Sequence, residues 1–217
     1  MSAFFRLLPV LLLAALLAGC GHPTSADLTQ LQSFQTADDR TVATATIACD
    51  AADPVCARLQ MQQGAACERL SEAQSAAERA AMRACALQAF RKARALLPAN
   101  ASDADRLAAT RGLANALKIA RDNEMNATTR QQDEAELDQL LPALAALPGG
   151  ASYAGYYRAD AALNRVLTKE TDAAAACGAL RSAQAELPGA PLPADLAQRV
   201  PALRGMVEGT MRQRSCT

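Results

Sequence analysis

Three times this chain ends an alanine-rich stretch on Leu-Pro: Arg94-Ala95-Leu96-Leu97-Pro98, Ala145-Ala146-Leu147-Pro148 and Ala185-Glu186-Leu187-Pro188. Proline lacks the N–H that a helix interior needs, so each ending is a helix stop. The three prolines are 50 and 40 residues apart, which is room for two helices between stops. An irregular helix-pair period marks a stacked α-solenoid rather than one closed bundle. β-branched residues are few and tryptophan is absent, which argues against a sheet protein. The fold class expected is therefore all-α, built of helix pairs.

The apolar spacing predicts helices over 55–74, 77–97, 103–122, 131–147, 152–169, 172–187 and 200–214. Met82, Ala86, Ala89, Phe90, Ala93 and Leu97 share one face, and Leu107, Leu113, Ala114 and Leu117 another. Ser102 with Asp105 resembles a capping box. Pro142 predicts a kink or two abutting helices. Asp122 to Thr129 reads as a polar loop.

The start of the chain carries a different signal. A single charge, Arg6, precedes an apolar run from Leu7 to Leu17, followed by Ala18-Gly19-Cys20. The run is shorter than the roughly 20 apolar residues of a membrane span. It resembles the lipobox of bacterial lipoprotein signals. That resemblance implies that residues 1–19 are removed and that Cys20 carries the acyl chains, palmitate among them. Gly21, where inner-membrane retention is associated with aspartate, implies the outer membrane, with the protein facing the periplasm. The acyl chains supply about 0.8 kcal/mol per buried CH₂, so the protein part needs no membrane surface of its own. Residues 20–48 are polar and read as a flexible tether reaching roughly 28 Å, although Leu28, Leu31 and Phe34 would share a short helical turn. The repeat domain is then 49–217.

Six cysteines remain after Cys20: Cys49, Cys56, Cys67, Cys85, Cys177 and Cys216. An even number in an exported chain reads as disulfides. Sequential pairing joins Cys49 to Cys56 and Cys67 to Cys85, the latter across a hairpin turning near Ala76. Nested pairing joins Cys56 to Cys67 and Cys49 to Cys85. Nesting is favoured by length, since an unbent helix would hold Cys67 and Cys85 about 27 Å apart at about 1.5 Å per residue. Sequential pairing is preferred because polar Ser71, Glu72, Gln74, Ser75 and Glu78 make the turn credible and short loops close readily. Cys177 and Cys216 meet if a last helix, begun near Pro201, runs back along its predecessor.

Ala86, Phe90, Ala93 and Pro98 resemble the second helix of the tetratricopeptide repeat, as do Ala176, Leu180, Ala183 and Pro188. Leu140, Ala143 and Pro148 match in part, with Glu136 in place of alanine. Among first helices, Tyr156-Tyr157-Arg158-Ala159 with Leu163 matches best. Ala48-Cys49-Asp50 through Cys56 and Leu59 resembles a Sel1-like repeat. The resemblance implies a concave surface that holds peptide segments. Arg158, Arg165 and Lys169, spaced by seven and four, align on one side of a helix. With Tyr157 they are the candidate peptide-binding residues, able to meet carboxylates; the plainer reading is a solvated cationic stripe. Tyr153, Tyr156 and Tyr157 share a side and read as core.

Catalysis is not expected. The single histidine, His22, lies beside the lipidation site, so no His-based nucleophile or His metal site is available to the folded part. The cysteines read as bridges rather than as a zinc site, and Asp50, Asp53, Asp122 and Glu124 as turn and cap residues. Without its signal the chain has one more acid than base, and no basic excess suggests nucleic acid. The function expected is a non-enzymatic envelope scaffold or adaptor that binds a protein or peptide without cofactor or metal. The alternative is an inhibitor or immunity lipoprotein that neutralises an envelope-acting toxin enzyme.

Overall fold

The structure is a computed structural model and describes residues 25–49, 53–73, 75–169 and 172–216. The signal, Cys20 and His22 lie outside the described residues, as do Asp50 and Gln74. Among the described residues there are nine helices and no strand: α1 Ser25–Thr36, α2 Asp39–Thr44, α3 Pro54–Ala73, α4 Ala76–Ala95, α5 Asp103–Asn123, α6 Ala127–Ala146, α7 Ala151–Thr168, α8 Ala173–Glu186 and α9 Arg199–Gln213.

Short connections force the long helices into antiparallel pairs, α3 with α4, α5 with α6 and α7 with α8. From α2 onward each helix packs on the next. The first helices of successive pairs also meet one another, α3 on α5, α5 on α7 and α7 on α9, while the second helices α4, α6 and α8 do not pack comparably. One row is therefore inside the curve and the other outside. This is a helix-pair solenoid.

Local chemistry sets the ends. The Ser102 hydroxyl accepts from Asp105 N at 3.1 Å, Asn126 Oδ1 from Thr128 N at 2.9 Å, and Asp172 Oδ1 from Ala175 N at 2.8 Å. Each such cap is worth about 1 kcal/mol. Glu78 accepts from both the amide and the hydroxyl of Ser75, which starts α4 directly after the turn. Between α6 and α7 the chain turns on Gly149, at φ 78°, and on Gly150, where a Cβ would sit 1.8 Å from the Leu144 carbonyl oxygen.

Three disulfides staple the array in the sequential pattern: Cys49–Cys56, Cys67–Cys85 and Cys177–Cys216, with Cα atoms 5.8, 5.9 and 5.3 Å apart. The separation expected of an unbent helix never arises, because α3 ends at Ala73, α4 begins at Ala76 and the two pack side by side with Cys85 beside Cys67. α9 runs back along α8 and brings Cys216 to Cys177.

Between pairs, one large residue fills the gap. Phe90 of α4 is 5% exposed and lies against Gly64 of α3 and Gly112 of α5; a Cβ at these glycines would fall 2.9 and 2.2 Å from its ring. Ala176, Leu180 and Ala183 are fully buried in the equivalent stretch of α8. In α6 the register differs from the expected one by a single residue. Leu137, Leu141 and Leu144 are buried and Ala143 is exposed, while Glu136 faces outward to pair with Arg91.

Further expectations change. Residues 25–49 are not a tether. α1 and α2 pack on α3, with Phe34, Val42 and Ala43 buried against Val55, Leu59 and Ala66. Arg69 holds Asp39 with two nitrogens, and Gln63 Nε2 donates to the Ala45 carbonyl at 2.8 Å. Single apolar residues spaced along a polar stretch were enough to dock it, because α3 alone leaves an apolar face open there. α6 begins at Ala127, four residues before the expected start, because Asn126 caps it; Asp122 belongs to α5 rather than to a loop. Pro142 lies inside one continuous helix.

Candidate functional site: the inner groove

Because α3, α5, α7 and α9 form the inner row, their inward faces enclose a groove of about 470 Å³. Its floor is Met61 and Ala65 of α3, the edge of Phe90, and Ala108 and Gly112 of α5. Leu31 and Gln35 of α1 form one wall, and Asp195 with Arg199 the opposite rim. The two glycines that make room for Phe90 also bring its ring to the groove floor.

Polar groups sit at defined places in this apolar recess. Asn115 is 7% exposed, yet it stands in the apolar run Leu113–Leu117. Its Nδ2 donates to Glu68 Oε1, and its Oδ1 accepts from Arg199 Nη1 at 3.1 Å and from the Tyr157 hydroxyl at 3.4 Å. Burial pushes the Glu68 carboxyl above its ordinary value, with the nearby Arg199 pulling the other way. Tyr157 is wholly enclosed and its phenol is pushed up by burial, so it acts as a neutral donor.

The other arginines of the groove are held. Arg58 bonds Asp105 with two nitrogens, at 2.9 and 3.2 Å, and that contact keeps the Asp105 carboxyl below its ordinary range. Arg111 donates to the Tyr153 hydroxyl and to Asp195, both at 3.1 Å; Tyr153 itself donates to Asp195 at 2.8 Å.

Of the residues singled out in the sequence, Tyr157 lines the groove. Arg158, Arg165 and Lys169 are placed outside its lining. Arg158 pairs with Glu186 of α8 at 3.4 Å, and Arg165 with Glu134 and Asp138 of α6 at 3.7 and 3.8 Å; Lys169 also pairs with Glu134. A step of one residue turns a helix by about 100°, which carries position 158 from the inner face towards α8. Tyr153, Tyr156 and Tyr157 are all buried in the core, as expected. Arg58, Glu68, Arg111, Asn115 and Arg199 were not anticipated. The signal that was present was Asn115, an amide inside an apolar helical stripe.

A second polar cluster locks α5 to α7. Arg121, 1% exposed, pairs with Asp122 at 2.6 Å and with Asp160; Lys118 pairs with the same two carboxylates. Its dense internal pairing marks it as an interhelical tie.

Among the described residues no group of three or more His, Cys, Asp or Glu is placed to hold a metal ion, and no helix is long and apolar enough to cross a membrane. Comparison with family models, with curated proteins and with solved structures finds no match to the chain.

Proposed function

We propose that this chain is an outer-membrane lipoprotein, acylated at Cys20, whose helical solenoid grips a segment of another envelope protein in its inner groove and so works as a scaffold or adaptor. The observation that carries the reading is the groove itself. An inner row of helices presents an apolar floor with fixed polar groups around a recess of about 470 Å³. The fold is braced on both sides of it, by Cys49–Cys56 and Cys67–Cys85 at one end and by Cys177–Cys216 at the other. Rigid walls lose little freedom when a segment binds, which favours affinity. The lipobox-like ending Leu17-Ala18-Gly19-Cys20 supports the anchoring, and the fold of 25–49 keeps the groove near that anchor. The array reads as a degenerate relative of the tetratricopeptide design, in which first helices line the binding surface.

Filling the groove tests the reading. Ala108→Trp should abolish recovery of the partner from crosslinked envelopes while the protein keeps its level and its membrane fractionation. Recovery at the wild-type level would contradict the groove as the binding surface. Cys20→Ala should move the protein from the membrane to the soluble fraction; unchanged fractionation would contradict acylation.

A further inference from the structure

The groove is unevenly satisfied. Its guanidinium groups are engaged: Arg58 by Asp105, Arg111 by Asp195 and Tyr153, and Arg199 by the Asn115 oxygen. Its acceptors are less so. The Glu68 carboxylate takes one hydrogen bond, from Asn115 Nδ2 to Oε1, and among the described residues no cation lies within salt-bridge distance of it, Arg199 and Arg111 acting on it from farther off. Gln62 Oε1, also in the lining, is enclosed and accepts no hydrogen bond among the described residues. A carboxylate drawn largely out of water, whose nearby cations are engaged by other partners, gains from a cation in direct contact. What the Glu68 carboxylate lacks is therefore a charged donor in direct contact.

The open oxygen narrows the choice. Asn115 already takes one lone pair of Oε1 while Oε2 is wholly open, so a guanidinium fork would have to share Oε1 with Asn115. Guanidinium binds carboxylates best through two parallel bonds, which needs both oxygens. A compact ammonium with rotatable donors suits one oxygen. The apolar approach fits the same group. Ala65 precedes Glu68 on α3 by three residues and Gly112 precedes Asn115 on α5 by three, so the Phe90 floor lies about 4.5 Å along the axis from the carboxylate, at about 1.5 Å per residue. A four-carbon stem spans that distance over apolar surface.

We propose that the groove takes a lysine side chain of the partner segment, its ammonium on Glu68 and its aliphatic stem on Met61, Ala65 and Phe90. The inference rests on the groove being the partner site.

The probes are the peptides acetyl-Ala-Lys-Ala-amide, its norleucine counterpart with the same stem and no charge, and its arginine counterpart. Each is titrated into the purified, oxidised chain, and binding is followed by the NMR signals of the Asn115 side-chain amide. The lysine peptide should bind at least about tenfold more tightly than the norleucine peptide, the ratio expected of a charge-assisted contact, and more tightly than the arginine peptide. Glu68→Gln should bring lysine and norleucine together. Equal binding of lysine and norleucine to the unaltered protein overturns the proposal, as does a lysine preference that survives Glu68→Gln or the absence of any Asn115 response. The comparison on unaltered protein does not depend on the variant folding. If the lysine preference is absent while Ala108→Trp still removes the partner, the lysine assignment alone falls. If Ala108→Trp leaves the partner in place, the groove reading falls with it.

Discussion

Gly112→Ala should change the sign of its effect on stability according to whether Phe90 is present. Gly112 is buried in mid-helix, and alanine there gains about 0.8–1 kcal/mol in helix propensity. The added Cβ, however, would lie 2.2 Å from Phe90 Cε1 and 2.5 Å from Cδ1. The ring has little room to retreat, because it lies close over Gly64 on its other side, where an added Cβ would fall 2.9 Å from it. Overpacking of this kind costs about 1–3 kcal/mol, so Gly112→Ala in the wild-type chain should be neutral to destabilising by about 2 kcal/mol. Phe90→Ala alone should cost about 3–5 kcal/mol, since the ring is fully used in the core. In that background the space around position 112 is open, and Gly112→Ala should stabilise by up to about 1 kcal/mol. Urea unfolding followed at 222 nm, with disulfides intact and slopes compared, gives the four free energies of the cycle. The wedge predicts a coupling of at least about 1 kcal/mol between the two positions. Gly112→Ala effects that agree in both backgrounds would refute the packing of α3 and α5 around one ring.

The disulfides should rank by the loops they close, 39, 18 and 7 residues, giving about 4, 3 and 2.5 kcal/mol for Cys177–Cys216, Cys67–Cys85 and Cys49–Cys56 in the chain-entropy account; paired Cys→Ala variants compared in urea check the order, and the reverse order would contradict it. Stability should also carry two carboxylate signatures of opposite sign. Asp105 is held below its ordinary value of 3.8 by Arg58, so its contribution is present above that pH and lost as pH falls below it; Arg58→Met should flatten this acid limb of the stability curve. Glu68 is raised above 4.5 by burial, so the folded state holds its proton longer than the unfolded chain, and stability declines as pH rises from about 4.5. Glu68→Gln should remove that decline, and an unchanged curve would place Glu68 in a more watery setting than the groove.

Much of this fold was legible because its signals are local. The Leu-Pro stops, the Ser102 cap and the apolar spacing placed the seven long helices to within a few residues at most ends. Polar residues at 71–78 pointed to the turn that makes Cys67–Cys85 possible. What escaped was tertiary in origin. α1 and α2 bury only a few apolar side chains each, and their docking depends on a face of α3 that a linear pattern does not display. The α6 register slipped by one because leucines at 137, 140, 141 and 144 satisfy two helical phases, and only the neighbours choose between them. The groove was missed for a related reason: its polar groups come from α3, α5, α7 and α9, and no sequence spacing links Glu68 to Arg199. The cationic stripe of α7 was visible, but its carboxylate partners on α6 and α8 were not.

The central claim is that a partner is gripped on the inside of the solenoid. A photoreactive amino acid placed singly at Met61, in the groove floor, and at Gln184, exposed on α8 of the outer row, tests it in intact cells. The account predicts one discrete crosslinked species from position 61, none from 184, and loss of the first when Ala108→Trp is added. Crosslinking from 184 with silence at 61 would contradict it.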